Sequence, residues 1–245
     1  MPRILIIGLG LMGGSAGIAL RRAGWHVAYV DARVPLDAAL AKEAADEKLD
    51  AVRDEEVVLL ATHVDAAVAQ LQTLQTSGVI TSLCSVMRPL RAVAPANFVA
   101  GHPMAGSHES GLAAARADLF EGKKWFLDSR DDRVEQLVRD CRGVAHFVDP
   151  ETHDQAVALT SHLPQLLSTA LAAHLDDQNV LDFAGSGLRD FLRLAGSGAE
   201  MWGPIVDANR DQIAPHADAV AELVRAMLNG DREAFAKAQR VWKKL

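Results

Sequence analysis

The sequence is poor in cysteine and aromatic residues, and it has no block of like charge. Only Cys84 and Cys141 occur in 245 residues, so neither a disulfide framework nor a cysteine-rich metal site is available, and both read as reduced, buried thiols. There is no His-Glu-x-x-His, and His153 and His162 are wrongly spaced for a metal-binding helix face, so no metal is expected. No apolar run is long enough to span a bilayer, and the chain starts on strand-like Arg3-Ile4-Leu5-Ile6-Ile7-Gly8 instead of a signal sequence. The expectation is a cytoplasmic protein with no membrane partner. A net charge of −7 gives a field that repels a nucleic-acid backbone, so nucleic acid is not an expected partner. What is present, 49% hydrophobic and 23% charged residues, suffices for one large domain or two smaller ones.

The first half alternates strands with helices. The run 3–8 leads into Gly8-Leu9-Gly10-Leu11-Met12-Gly13-Gly14-Ser15, with small residues continuing to Gly24. Gly8 suits a tight turn and Gly10 a close approach to a pyrophosphate. Gly13 and Gly17 suit a helix lying close on a sheet, with its N-terminus (Leu11, Met12) facing the anion. A second strand, 27–30, ends at Asp31, whose carboxylate is placed to accept from both adenosine ribose hydroxyls and to repel a 2′-phosphate. NAD is therefore the expected cofactor, with Arg33 leaving NADP open. A helical stretch is expected between Asp31 and Asp54, then strands at 57–61, 79–85, 98–101, 125–127 and 146–148, separated by helices at 66–74 and 133–141. The pattern predicts an α/β, Rossmann-type doubly wound, mainly parallel sheet. In such a sheet Gly8, Asp31, Thr62, Ser85 and His102 gather along one rim, beyond the carboxyl ends of the strands.

After Asp149-Pro150 the spacing becomes helical, with a kink expected at Pro164 and further helices at 188–194, 201–209, 217–228 and 232–242. The expected organisation is a dinucleotide-binding domain over 1–150 followed by an all-α domain over 151–245. The apolar faces of the second domain predict a homodimer.

Three stretches can carry chemistry. In Gly101-His102-Pro103-Met104-Ala105-Gly106-Ser107 a histidine precedes a proline, which biases it to an extended conformation, with glycine on either side. Arg189 and Arg193 stand i, i+4 among apolar neighbours and can form a carboxylate-binding fork on one helix face. Thr160-Ser161-His162-Leu163-Pro164-Gln165 places a histidine in a helix, where packing and function are equally plausible. Trp202 reads as core.

The glycine loop, Ser85-Val86, Gly101 to Ser107 with Glu109-Ser110-Gly111, Ser161-His162-Leu163-Pro164-Gln165 and Gly187 through Ala195 to Met201-Trp202 together resemble the prephenate and arogenate dehydrogenases of tyrosine biosynthesis. The resemblance runs from residue 3 to about residue 210. It implies oxidative decarboxylation of prephenate, or of arogenate, with a nicotinamide cofactor on a dinucleotide-binding domain followed by a helical dimerisation domain. It also implies that His102 is the catalytic histidine, Ser85 its partner at the substrate hydroxyl, and Arg193 the grip on a substrate carboxylate. His162, Ser107 and His108 fall near the substrate. The chain departs from the family where Met87 replaces the lysine of Ser-Val-Lys and where His108 stands at a frequently acidic position; the latter bears on keto-acid against amino-acid substrates. A β-hydroxyacid dehydrogenase shares the glycine motif but calls for a lysine that is absent from 161–202. An inactive cofactor-binding homologue is the reading from outside the enzymes.

Overall fold

A computed structural model describes residues 1–107 and 109–244. Strands β1 (Arg3–Ile7), β2 (His26–Val30), β3 (Glu47–Lys48), β4 (Val57–Leu60), β5 (Val79–Ser82) and β6 (Phe98–Val99) form a six-stranded sheet in the order β3-β2-β1-β4-β5-β6, parallel throughout. This doubly wound order reverses at β1, and the reversal opens a crevice beyond the carboxyl ends of β1 and β4. The β1 run is apolar at every position from Ile4 to Ile7 because both faces are covered. On one side Ile4 and Ile6 pack with Leu20 of α1 (Leu11–Arg22) and, further along, Leu137 of α5 (Asp132–Asp140). On the other, Leu5 and Ile7 share a core with Leu71 of α3 (Val64–Thr73) and Leu90 of α4 (Arg88–Arg91).

Two expectations are corrected. The stretch between Asp31 and Asp54 holds only the short helix α2 (Leu36–Ala41), followed by the edge strand β3. The chain is drawn there because Asp46 accepts from the Val27 N–H at 2.9 Å and from Arg21 at 2.9 Å, which lays the following residues along β2. The run 98–101 is likewise not one strand, and 125–127 and 146–148 do not extend the parallel sheet. Instead β7 (Gly101–Pro103), β8 (Lys124–Leu127) and β9 (Val144–Phe147) form a separate three-stranded sheet, with β7 antiparallel to β8. The break falls at Ala100, whose N–H donates to Asp128 Oδ1 at 2.9 Å and whose carbonyl accepts from the Asp128 N–H at 3.1 Å. Arg91 fixes Asp128 in turn, at 2.6 Å. Gly101 then crosses β5 so closely that a Cβ there would sit 2.7 Å from the Ser82 carbonyl oxygen.

From residue 150 the chain is helical. Asp149 caps α6 (Pro150–Val157) by accepting from the Thr152 N–H at 3.0 Å, with Pro150 in the first turn. The helix continues through a π turn (Ala158–His162) into α7 (Leu163–Leu175). Where a kink is expected the helix widens instead: Pro164 offers no N–H to the turn before it and its ring crowds that turn's carbonyl, so one residue is looped out. Then come α8 (Ser186–Leu192), a 3-10 turn (Arg193–Gly196), α9 (Ala199–Ala208), α10 (Arg210–Leu228) and α11 (Glu233–Trp242). Among the described residues no helix is long and apolar enough to cross a membrane.

Candidate active site

His102 sits in the middle of β7, buried, and its Nδ1 lies 2.9 Å from His153 Nε2 on α6. His153 Nδ1 in turn lies 2.7 Å from Asp154 Oδ1. The Asp154 carboxylate is wholly buried and accepts from the Met87 N–H on Oδ1 and the Arg88 N–H on Oδ2, each at 2.9 Å. An acceptor-only carboxylate requires His153 to donate from Nδ1; with His153 neutral, its Nε2 is then an acceptor and His102 donates from Nδ1. The free lone pair of His102 is therefore on Nε2, which has no hydrogen-bond partner among the described residues. Burial, followed by the adjacent His153 and His162, pushes the His102 pKa down to about 3. The ring is thus a neutral base with one defined open edge.

A second polar group stands beside this chain. Asn209, at the junction of α9 and α10, donates from Nδ2 to the Asp154 carbonyl at 2.8 Å and to His162 Nδ1 at 3.2 Å. His162, carried on the π turn, must then bear its proton on Nε2. That donor and Trp202 Nε1 are both buried without partners among the described residues, and the two rings meet edge to face at 5.9 Å. Two unsatisfied donors on neighbouring rings suit an acceptor carried by a ligand. Burial pushes the His162 pKa down to about 4, against the opposing charge of Asp154.

The glycine loop fits a dinucleotide pyrophosphate. Gly8 has φ +94°, and a Cβ on Gly13 would lie 2.0 Å from the Gly8 carbonyl oxygen, so the turn and its helix require glycine at both positions. A Cβ on Gly10 would meet nothing within 4 Å, and α1 begins without a side-chain cap. Its first amides, Leu11 and Met12 among them, are therefore open to an anion. The Thr62 methyl backs Gly8, while its hydroxyl bonds Gln70 at 3.0 Å. Asp31 Oδ2 accepts from the Leu9 N–H at 2.7 Å, and Oδ1 accepts from the amides of Arg33 at 2.7 Å and Val34 at 3.1 Å. Three of about four acceptor positions are thereby used. The carboxylate braces the loop and has room for one further donor, where sequence reasoning expected two. Arg33 is exposed.

Ser85 lies half-buried between β5 and α4. It is Ser82, three residues earlier, that sews the sheets together by donating to the Gly101 carbonyl at 3.1 Å. Ser107 is exposed and accepts from the Glu109 N–H at 3.1 Å in a local turn, and His108 lies outside the described residues. The shared helix face expected for Arg189 and Arg193 is interrupted, because α8 ends at Leu192 and Arg193 opens the tighter 3-10 turn. Both are exposed and, among the described residues, have no ion-pair partner. The Arg193 turn is nevertheless fixed: Gln165 donates to the Leu194 carbonyl at 2.9 Å and Ser168 to the Phe191 carbonyl at 2.8 Å. His153, Asp154, Arg88 and Asn209 were not singled out by sequence reasoning. The usable signals were an adjacent His-Asp pair on a helix leading to His162, and an asparagine within an otherwise continuous helical run.

Residues 17–146 match the family described as prephenate dehydrogenase, nucleotide-binding domain, and residues 149–240 match prephenate dehydrogenase, dimerization domain. The chain belongs to the prephenate dehydrogenase family. Among its relatives, prephenate dehydrogenase of Bacillus subtilis (strain 168) is 34% identical over 88% of this chain and 66% of the relative. That of Lactococcus lactis subsp. cremoris is 26% identical over 85% of this chain and 65% of the relative. The chain thus spans just under two-thirds of the length of these two prephenate dehydrogenases. A solved prephenate dehydrogenase from A. aeolicus, in complex with hydroxyphenyl propionate and NAD+, superposes with a TM-score of 0.85 at 26% identity, covering 100% of this chain and 97% of that one.

The two buried rings have a consequence for stability. In the unfolded chain both histidines take up protons near pH 6.5, whereas in the folded chain they stay neutral until about pH 4 for His162 and about pH 3 for His102. Their stabilisation is complete above pH 6.5 and is lost as pH falls, approaching about 1.4 kcal/mol per pH unit for each ring. Carboxylates with lowered pKa values, such as Asp46 and Asp131, lose their contribution only below about pH 5. Urea unfolding between pH 6.5 and 5 should therefore show a falling ΔG that is distinctly less steep in His162→Gln. An equal slope in the two proteins would show that His162 is not held neutral.

Proposed function

We propose that the protein is an NAD-dependent dehydrogenase that oxidatively decarboxylates prephenate to 4-hydroxyphenylpyruvate, on the route to tyrosine. The observation that carries this reading is the His102–His153–Asp154 chain, which leaves a neutral imidazole with its Nε2 edge free on β7, the strand that follows the last strand of the nucleotide-binding sheet along the chain. Gly8, Gly10, Leu11, Met12, Gly13, Asp31 and Thr62 would hold the dinucleotide, with Arg33 beside its adenosine end. Bound there, NAD+ supplies the hydride acceptor.

The remaining work falls to the chain's own residues. His102 Nε2 accepts the proton of the ring hydroxyl as hydride leaves the same carbon, with Ser85 orienting that hydroxyl. The bond to the ring carboxylate then breaks, carbon dioxide departs, and its electron pair aromatises the ring. The proton returns from His102 to the phenolate oxygen. His162 Nε2–H and Trp202 Nε1–H supply donors for a substrate oxygen, and Arg193, together with Ser107 and His108, receives a carboxylate. The purified protein, given prephenate or arogenate with NAD or NADP, tests this directly. Reduced nicotinamide is expected, with prephenate favoured over arogenate and NAD over NADP because Asp31 disfavours a 2′-phosphate. No reduction with any of the four combinations would refute the reading.

The protein is further proposed to act as a homodimer. The helical half contributes little to the two buried cores beyond Ile205, with Trp202 and Ala208 packed against one of them. Leu171, Phe183, Phe191, Leu228, Phe235 and Trp242 stay exposed, Phe183 at 90% and Trp242 at 77%. Apolar surface on that scale calls for a partner, and a second copy offers the same surface. Light scattering at micromolar concentration should give twice the 26.3 kDa chain mass; a strictly monomeric protein would overturn the proposal.

A further inference from the structure

Arg88 is the first residue of α4, and its side chain reaches out of the nucleotide-binding half to three partners in the helical half. It forms a bidentate pair with Asp211 of α10 (Nη2 to Oδ1 at 2.7 Å, Nη1 to Oδ2 at 2.9 Å), donates to Asn209 Oδ1 at 3.1 Å, and approaches Glu151 at 3.4 Å. On its inner side Nε lies 3.4 Å from Asp154 Oδ2. Asp211 and Glu151 are exposed, whereas Asp154 is wholly buried. Among the described residues, the charged and titratable groups around His153 and Asp154 are His102 on β7, His162 on the π turn and Arg88 on α4, with Glu151 of α6 and Asp211 of α10 on the outer side of Arg88. Arg88 is the only permanent cation among them.

We propose that Arg88 is a positioning residue for the dehydrogenase reaction: its charge beside Asp154 keeps His153 neutral, and so keeps the proton of His102 on Nδ1 and the Nε2 edge basic. A buried carboxylate with no cation beside it attracts a proton to its histidine partner. A protonated His153 donates from both nitrogens. His102 would then have to accept on Nδ1 and carry its own proton on Nε2, where the base is needed. The proposal rests on the function given above, and part of its test does not need substrate.

Three variants separate charge from strapping. Arg88→Met removes the cation, Arg88→Lys keeps it without the bidentate fork, and Asp211→Asn removes the outer anchor while leaving the cation against Asp154. The acid limb of kcat/KM should rise by about one pH unit or more in Arg88→Met, and should not rise in Arg88→Lys or Asp211→Asn. Arg88→Gln replaces Arg88→Met if the latter does not fold. In substrate-free protein, imidazole 15N spectra should show His102 with its proton on Nδ1 at pH 7 in the wild type, and protonation of His153 moved upward by a similar amount in Arg88→Met. Inactive wild-type protein showing these spectra would sink the function and leave the positioning role standing. If the limb and the His153 titration are unmoved in Arg88→Met, or if all three variants lose activity equally with no change in pH profile, Arg88 is only a strap between the two halves and the proposal fails.

Discussion

His102→Asn should lose on the order of 10²–10⁴-fold in kcat while binding NAD as the wild type does. Asparagine has nearly the reach of imidazole and can still hydrogen-bond His153, so β7 and the relay behind it have no cause to move. What it lacks is an atom able to take the hydroxyl proton. Because burial pushes the His102 pKa down to about 3, the wild-type ring stays in its working form across the whole neutral range. The loss in the variant should therefore be of similar size from pH 6 to pH 9, with little recovery at the alkaline end. Stopped-flow measurement of nicotinamide reduction, with cofactor affinity from fluorescence quenching, checks both parts. Retention of kcat within tenfold would show that a group other than His102 takes the hydroxyl proton.

Asp154→Asn should be nearly as damaging, although residue 154 does not face the ring hydroxyl. An amide can turn its NH2 group toward His153 Nδ1, making that nitrogen an acceptor and moving the proton to Nε2. The order of donors then reverses along the chain, and His102 Nε2 becomes protonated. Reversal of a histidine's tautomer by an Asp-to-Asn change costs about 10⁴-fold in serine-protease triads. Here a loss on the order of 10²–10⁴-fold in kcat is expected, with NAD affinity retained. The Met87 and Arg88 amides both need an acceptor, and a side-chain amide offers them one oxygen in place of the two of Asp154. A drop of some degrees in Tm should accompany the kinetic loss. Asp154→Glu, which keeps the charge but displaces it, should show the thermal loss with a smaller kinetic one. Near-native kcat in Asp154→Asn would mean that the tautomer of His102 is set by something other than this relay.

The parallel sheet was legible because its strands are buried on both faces, which leaves unbroken apolar runs such as 4–7 and 57–61 between helical stretches. The separate sheet β7-β8-β9 was not. Its strands look like any others in composition, and what divides them from the main sheet is a set of bonds from Asp128, distant in sequence from Ala100 and Arg91. The glycine loop was readable from spacing alone, since its requirements are steric and local. Asp31 was placed correctly at the end of β2, but its backbone partners were invisible, so it appeared to have more free acceptor capacity than it has. His102 stood out through its flanking glycine and proline. The residues that set its proton, His153, Asp154 and Asn209, come from α6 and the α9–α10 junction, and nothing in the spacing of residues 102 and 153 foretells a 2.9 Å contact. Arg193 was singled out from its apolar setting, but the shortness of α8 could not be read from a sequence without a proline to end it.

The π turn at Ala158–His162 sets the phase between two functions of one continuous helix. Upstream, α6 must aim His153 and Asp154 at β7 and α4. Downstream, α7 must turn Gln165 and Ser168 toward the Arg193 turn while presenting Leu167 and Leu171 outward. A regular helix advances about 100° per residue, so a single looped-out residue rotates everything after it by that amount relative to everything before. Removing one residue from this turn would restore ordinary helical hydrogen bonding and local stability, yet it would swing the outward leucines and the Gln165–Ser168 anchor a quarter-turn away from where each is used. The two halves of the helix are thus indexed to one another by residue count, and the irregular turn is the gear tooth that lets the proton relay and the exposed apolar face share one rod.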